Sequence, residues 1–415
     1  MQRKDLDCLR RLAEEKAAVA ALPLQRENAG RWRASNDLTP GLAPIFITEL
    51  PWHEFSDHEE LVLTCEDQEA RQLEGSLRRE LFSWRHFPGT MVVSGHMECP
   101  LSYTDSGIGM REDVDIVRTD ARSDIVSRHY KPQITGIQDI EKIKDPVIEL
   151  DKEASQGRLD LWKRIFEPVL PVKQVGSKGL WFTPWDVLIA LTGVEEAMTA
   201  LVDDPDYIDA LLTSYMETAM LRMNRYRELG IWSSNNDNTR VGSGGYGYTD
   251  ALPDVDTARL NADPMDIWGC SNAQIFSGVS PQMSWEFALK YEMEWLSLFG
   301  LNYYGCCEPL HLKMDNMDRI PRLRKISMSP WADPAVAAPR ARGKYVLSFK
   351  PNPAVFAGDT FSEERARADL RDMLGKAEGC ATELIMKDVS TIRGKPEHVS
   401  AWSRIALETA AEFAP

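Results

Sequence analysis

From Lys178 onward the chain alternates strand-like and helix-like segments, and this alternation limits the folds open to it. Strands are predicted at Lys178–Thr183, Thr239–Gly244, Asp266–Ser277, Leu301–Cys307, Lys325–Ser329, Lys344–Lys350 and Ala381–Asp388, and helices from Pro184 and at Asp206–Leu229, Gln282–Phe299, Phe361–Leu374 and Pro396–Phe413. Repeated strand-then-helix units predict an α/β fold, a (β/α)8 TIM barrel, with a doubly wound sheet as the rival. No dinucleotide fingerprint in a strand-turn-helix setting supports that rival.

The first part of the chain is less regular. Leucines recur among charged residues from Arg3 to Ala21, so residues 1–40 are predicted to form an N-terminal helical extension. The barrel is predicted over residues 41–415, and its first strands are expected at Ala43–Leu50 and Thr90–Ser94.

Composition excludes several classes of protein. A content of 43% hydrophobic and 27% charged residues is typical of a globular enzyme rather than a disordered chain. A formal net charge of -16 disfavours nucleic acid or an anionic membrane as a partner. No apolar run approaches the roughly 18 residues of a spanning helix, so a cytoplasmic location is expected. Seven sparse cysteines indicate reduced thiols rather than a disulfide framework.

The segment Leu301–His311 is chemically the densest part of the chain. It places Cys306, Cys307, Glu308 and His311 directly after a predicted buried strand. Thiolate, imidazole and carboxylate groups are zinc ligands, and α/β enzymes keep their chemistry at strand tips. These four residues are therefore predicted metal ligands, and Glu308 is also a candidate acid or base. A buried, chemically inert cysteine pair is the alternative, since free cysteines are among the most buried residues.

In a barrel, residues that follow different strands converge at one mouth. The candidates for catalysis that this argument adds are His96, Lys387 and Asp388, and the candidates for substrate binding are Glu49, Asn272, Lys350 and Asn352. Trp52 and Trp181 could form an aromatic wall for substrate, although core packing explains them equally well. The glycine-rich run Gly242–Gly247 is either a simple turn or a loop over substrate that carries Ser243. Lys387 and Asp388 could equally be an ion pair that closes the last strand.

Ordered motifs over residues 120–415 resemble the uroporphyrinogen decarboxylase superfamily. They are Pro184-Trp185-Asp186-Val187-Leu188, Leu191-Thr192-Gly193-Val194-Glu195, Asp204-Pro205, Tyr304-Gly305-Cys306-Cys307-Glu308-Pro309, Lys325-Ile326-Ser327-Met328-Ser329-Pro330-Trp331, Lys350-Pro351-Asn352-Pro353, Lys387-Asp388 and Pro396-Glu397. The resemblance implies the (β/α)8 fold, a homodimer, and either porphyrinogen decarboxylation or methyl transfer to corrinoid proteins. The decarboxylases carry arginines near the first strand, where this chain has Glu49, and an acidic residue would repel substrate carboxylates.

The resemblance therefore favours a methyltransferase. The hypothesis is transfer of a methyl group from a small O- or N-methylated substrate to Co(I) of a separate corrinoid protein, because this chain lacks the corrinoid-binding Asp-x-His-x-x-Gly signature. The leaving oxygen or nitrogen must become electron-poor, by zinc or by proton donation, and Glu308, His96 and the cysteine pair are the candidates. The alternatives are a decarboxylase or lyase, with Lys387 or Lys350 holding a carboxylate, and a non-catalytic protein that binds a tetrapyrrole-like ligand.

Overall fold

The computed structural model describes residues 1–118, 126–256 and 259–414. The α-helices are α1 Arg3–Ala20, α2 Pro23–Asn36, α3 Gln68–His86, α4 Lys152–Phe166, α5 Pro184–Thr192, α6 Val194–Asp203, α7 Pro205–Glu228, α8 Pro281–Ser284, α9 Lys290–Leu296, α10 Met314–Met317, α11 Pro334–Ala341, α12 Glu363–Lys376 and α13 Pro396–Glu412. The strands are β1 Ile45–Ile47, β2 Met97–Pro100, β3 Ser102–Asp105, β4 Val114–Val117, β5 Ser127–Tyr130, β6 Ile148–Asp151, β7 Val172–Val175, β8 Trp268–Ser271, β9 Leu301–Tyr304, β10 Leu323–Met328, β11 Val346–Phe349 and β12 Thr382–Met386.

Six of the strands form one main sheet, in the order β1-β12-β11-β10-β9-β8, and every neighbouring pair is parallel. The register joins Ile45 to Leu384 at one edge and Trp268 to Leu301 at the other. Parallel strands place their carboxyl ends at the same edge of a sheet. The residues that directly follow the six strands therefore lie along one edge, which we call the strand-end rim.

The α/β class is confirmed, and six predicted strands overlap β1 and β8 to β12. The sheet has two strands fewer than the predicted eight-stranded barrel. Three predicted strands are wrong, at Thr90–Ser94, Lys178–Thr183 and Thr239–Gly244, because these segments are not assigned to any strand of a sheet. Thr90 makes one backbone bond to β1, from its amide to the Ile45 carbonyl at 2.9 Å, and its side chain accepts from the Ile45 amide at 2.7 Å.

Smaller sheets lie outside the main one. β2 pairs with β7 in parallel, whereas β3 with β6 and β4 with β5 form antiparallel pairs. These six strands lie between residues 97 and 175, a part of the chain in which the sequence patterns predicted no strand.

The two faces of the main sheet have different neighbours. Ile326, Leu347 and Leu384 belong to a large apolar cluster shared with the surrounding helices, among them α5, α7, α12 and α13. The other face contacts the glycine-rich run Gly242–Gly247 and Trp32 of α2. A Cβ atom on Gly245 would come within 2.2 Å of the Trp32 ring, so only glycine permits this packing.

A buried ion pair holds the glycine-rich run against the sheet. Lys325 Nζ lies 2.9 Å from Glu383 Oε2, and both side chains are completely buried. The same ammonium donates to the Tyr246 carbonyl at 3.2 Å, and the other Glu383 oxygen accepts from the Gly245 amide at 3.1 Å. Burial would raise the pKa of Glu383, but Lys325 and Lys350 lower it, so the carboxylate is charged. The pair therefore crosslinks β10, β12 and the glycine-rich run.

Two helices occupy the predicted N-terminal extension, and they pack closely on the rest of the chain. The Trp32 indole donates to the Thr90 carbonyl at 2.8 Å, and the Ser35 hydroxyl donates to the Thr382 carbonyl at 3.0 Å. The proposed boundary at residue 40 stays a prediction. None of the helices in the described ranges has the length and apolar character needed to cross a membrane.

Replacing one member of the buried ion pair should destabilise the fold strongly. Lys325→Met leaves the Glu383 carboxylate buried without its ammonium partner, which costs about 3–5 kcal/mol in free energy of unfolding. The double variant Lys325→Met/Glu383→Gln should recover part of that loss. Urea unfolding followed by tryptophan fluorescence measures both.

The matched control is Lys344→Met, which removes an exposed ion pair with Asp318 and should cost less than about 1 kcal/mol. Equal losses for the Lys325 and Lys344 variants would contradict the role assigned to the buried pair.

Candidate active site

Cys306 lies at the centre of the strand-end rim, directly after β9. Gly305 precedes it with φ of 100°, a conformation that favours glycine and turns the chain out of the strand. The Cys306 amide donates to Glu308 Oε2 at 2.8 Å, and its carbonyl accepts from the Ser327 hydroxyl at 2.7 Å. The thiol is thereby held in one place by the backbone on both sides.

The contact between Cys306 and Lys387 shows how strongly the main sheet curls. Cys306 Sγ lies 3.6 Å from Lys387 Nζ, although β9 and β12 are three strands apart in the sheet. In a flat sheet such ends would be separated by about 14 Å. The curl therefore brings residues from distant strands into one site. The barrel prediction expected such a convergence of residues that follow different strands.

Cys306 is poised to titrate near neutral pH. Cys307 Sγ lies 3.6 Å from Cys306 Sγ. This hydrogen bond lowers the pKa of Cys306 and, together with Lys387, outweighs burial to bring it to about 7. The same interaction raises the pKa of Cys307, so Cys307 stays a thiol. Only one of the two adjacent cysteines is therefore available as a thiolate.

Charged side chains surround Lys387. Its Nζ lies 2.6 Å from Asp388 Oδ2 and 3.7 Å from Glu49 Oε2, and Arg240 also pairs with Glu49. Burial would raise the pKa of Glu49, but Arg240 and Lys387 lower it to about 2. Glu49 and Asp388 have φ of 52° and 56°, which is uncommon for residues with side chains and is often found at functional sites. The predicted residues Glu49, Lys387 and Asp388 are thus in one ion network.

Lys350 is a second group with a pKa near neutrality. It is buried, and its Nζ donates to the Tyr303 hydroxyl at 2.7 Å and to the Ser348 hydroxyl at 2.6 Å. Burial lowers its pKa to about 7. The Ser243 hydroxyl lies 2.8 Å from the Tyr303 hydroxyl, so the predicted residues Ser243 and Lys350 meet through a tyrosine that the sequence analysis did not select.

The predicted zinc ligands around Glu308 do not converge on one point in this structure. Glu308 Oε2 accepts from the Cys306 amide and Oε1 accepts from the Ala273 amide at 3.2 Å, so both oxygens are already engaged. The buried Nδ1 of His311 has no hydrogen-bond partner among the described residues. In the described ranges, the compact groups of three or more metal-type ligands lie elsewhere and include none of these residues. The arrangement therefore does not fit the three or four converging ligands that zinc requires.

The remaining predicted site residues take other roles. His96 Nε2 lies 3.4 Å from Glu98 Oε1 on β2, and Glu98 in turn pairs with Lys178 at 2.5 Å. Trp52 packs 5.3 Å from the Phe55 ring and under the Arg79 guanidinium, as the core-packing alternative expected. His96 thus joins an ion network on the smaller β2–β7 sheet, and within the described ranges it forms no hydrogen bond or ion pair with Cys306.

Two cavities border the rim. One of about 270 Å³ is lined by Trp181, Arg240, Gly242 and Cys270 among others, and another of about 400 Å³ by Ser329, Trp331, Lys350 and Asn352 among others. Trp181, Lys350 and Asn352 thus line these cavities, and a substrate-binding role was predicted for all three. Asn272, which follows β8, has a buried side-chain amide nitrogen that finds no hydrogen-bond partner among the described residues.

Two carboxyl groups near Glu308, the half-buried Asp186 and the buried Glu292, were not predicted from the sequence. Desolvation raises the pKa of Asp186 to about 6 and that of Glu292 to about 8. Gln274 donates to Asp186 at 2.8 Å, whereas Glu292 lies beside the side chains of Tyr304 and Ser271. Asp186 belongs to the motif Pro184-Trp185-Asp186-Val187-Leu188, which could have drawn attention to it. Glu292 lies in a predicted helix, where its sequence context is that of an ordinary surface charge.

The titration of Cys306 tests this electrostatic description. The thiolate absorbance of wild type minus that of Cys306→Ser should show a midpoint at about pH 7. Lys387→Met removes a cation that favours the thiolate, so the midpoint should move to higher pH. The exposed Lys152→Met is the control and should leave it in place. A wild-type midpoint at the ordinary cysteine value of about 8.5 would contradict the description.

Comparison with known proteins shows a shared fold. Neither a protein-family model nor a curated protein matches the chain. Among solved structures, the chain is similar to a methyltransferase from Methanosarcina mazei, with 13% identity and a TM-score of 0.50, over 92% of this chain and 98% of that chain. Because an identity this low shows the fold alone, membership of the uroporphyrinogen decarboxylase superfamily stays a prediction.

Proposed function

We propose that this chain is a methyltransferase that removes the methyl group of a small O- or N-methylated substrate and passes it to the corrinoid of a separate protein. The observation that carries the proposal is the pair of groups at the strand-end rim, Cys306 and Lys350, whose pKa values are both brought to about 7. The shared fold with a protein named as a methyltransferase supports the same reaction class.

Proton donation is the way in which this site would activate the substrate. An ether oxygen or amine nitrogen is a poor leaving group, and a general acid that protonates it contributes about 10²–10⁴-fold in rate. An acid whose pKa is near 7 is suited to this at neutral pH. Lys350 holds its proton between Tyr303 and Ser348, and Cys306 holds its proton beside Cys307, so each can deliver it from a fixed position.

No step through zinc is part of the proposal, because the predicted ligands do not converge. Glu308 instead positions Cys306, since one carboxylate oxygen accepts from the Cys306 amide. Glu49, Arg240 and Lys387 set the charge around the thiol. These contacts give the predicted catalytic residues Glu308 and Lys387 supporting roles, with Cys306 and Lys350 as the proton donors.

The corrinoid would reach the site from outside, on its own protein. When bound, it supplies the nucleophile that takes the methyl group. The indoles of Trp181 and Trp331 border the two cavities, and their side chains are 50% and 72% exposed. Such large exposed apolar groups beside a cavity suit a surface that a partner protein covers.

Methyl transfer can be measured directly with free cob(I)alamin as acceptor and a panel of methoxylated aromatic compounds, methylamines and quaternary amines as donors. Wild type should form methylcobalamin with at least one donor. Lys350→Met and Cys306→Ser should each lower the rate about 100-fold, because each removes a proton donor. The pH profile of wild type should show ionisations at about 7, one of which is lost in each variant.

Cys380→Ser is the matched control, because Cys380 is a buried thiol that bonds to the Ala338 carbonyl at 3.5 Å and lies at the opposite end of β12. It should retain the wild-type rate. Release of carbon dioxide from carboxylated substrates without methylcobalamin formation would replace the proposal with a decarboxylase. Tight binding of a tetrapyrrole without turnover would replace it with a binding protein.

A further inference from the structure

Outside the strand-end rim, His58, Glu60 and His86 bring two imidazoles and a carboxylate together at the surface. His86 ends α3, whereas Glu60 lies in the short 3-10 helix Glu59–Leu61 and His58 directly precedes it. One ligand atom from each residue lies within 4.8 Å of the other two. His86 Nε2 is 2.8 Å and His58 Nδ1 is 3.8 Å from the same carboxylate oxygen, Glu60 Oε1.

Neighbouring side chains fix these groups in place. Arg85 Nε donates to the other oxygen, Glu60 Oε2, at 2.5 Å, and Arg78 donates to the Glu60 carbonyl at 2.8 Å. The Phe82 ring lies 4.2 Å from the His86 ring and 4.8 Å from the His58 ring. Oε1 therefore faces the two imidazoles, and contacts of this kind are what orient ligands around a bound metal.

The three side chains are open enough to admit an ion and water. Their exposed fractions are 33% for His58, 26% for Glu60 and 34% for His86. Two histidines, one carboxylate and a water make a familiar four-coordinate set for Zn²⁺, whose bonds to such ligands are about 2.0–2.2 Å long. Small side-chain rotations would bring the three atoms to that distance from a common point.

A second compact group, Cys8, Cys65 and Glu74, is a weaker candidate. The Glu74 oxygens already accept from the Thr64 and Cys65 amides and from Arg78 Nε. Binding a metal there would break three hydrogen bonds of a buried carboxylate, which is costly. At Glu60, by contrast, Oε1 contacts two imidazole nitrogens that are themselves ligands, and the bond that a metal would break is the long one, 3.4 Å, from the Glu60 amide to His58 Nδ1.

We propose that His58, Glu60 and His86 bind a divalent transition-metal ion of the Zn²⁺ class. The ion would join the 3-10 helix Glu59–Leu61 to the end of α3, beside the aromatic cluster that contains Trp52, Phe55 and Phe82. The site is separate from the strand-end rim and does not depend on the methyl-transfer proposal. A salt bridge between His86 and Glu60 alone is the competing account of the same geometry.

Calorimetric titration of the chelator-treated full-length protein with Zn²⁺ tests the proposal. Wild type should show a stoichiometric site, and His58→Ala and His86→Ala should each weaken it about 100-fold or more, because each leaves two protein ligands. His129→Ala removes an exposed histidine on β5 and should bind as wild type does. Unchanged binding in the His58 and His86 variants, or no stoichiometric site in wild type, would overturn the proposal.

Two further measurements identify the ligands. Co²⁺ in this site should give visible bands without the near-ultraviolet charge-transfer band of a thiolate ligand, and a thiolate band that disappears in Cys306→Ser or Cys65→Ser would assign the metal elsewhere. Zn²⁺ should raise the thermal unfolding midpoint of wild type but not of Glu60→Gln. If Glu60→Gln is stabilised as much as wild type, the site proposed here is wrong.

Discussion

The buried pair of Lys325 and Glu383 is the interaction on which the rest of the structure depends. Two charges without access to water are tolerated only when each finds several polar partners, and here those partners come from β10, β12 and the glycine-rich run. The pair thereby helps to hold the backbone of the glycine-rich run and the Trp32 indole against one face of the main sheet. The chemistry is left at the strand ends, where side chains still reach cavities.

Charge balance explains why the strand-end rim can hold reactive groups at neutral pH. The hydrogen bond from Cys307 and the positive charges of Lys387 and Lys350 lower the pKa of Cys306, whereas burial and Glu308 raise it. The lowering contributions are larger, so they favour the thiolate of Cys306. The lack of a carboxylate hydrogen-bonded to Lys350 among the described residues allows burial to lower its pKa. The electrostatic environment of the rim therefore sets the pKa of both the Cys306 thiol and the Lys350 ammonium.

The sequence predicted the parts of the fold that depend on local pattern. β9, β11 and β12 were located because strand-like segments recur after helix-like ones, and their ends then placed Glu308, Lys350 and Lys387 on one rim. His96 was predicted to join this rim from the end of Thr90–Ser94, which is not a strand. The contact of Ser243 with Tyr303, the bond from the Ala273 amide to Glu308 and the burial of Glu292 depend on contacts between segments far apart in sequence, which no local pattern encodes.

The contact of Trp32 with Gly245 links the first forty residues to the interior of the sheet. The Trp32 indole takes the volume that a side chain at position 245 would occupy, so α2 forms one wall of this part of the core. The same ring lies 5.9 Å from the Lys325 ammonium, so a shortened chain that started at the first strand would remove the aromatic cover from the buried ion pair. The helix α2 is thus a structural part of the sheet that it covers.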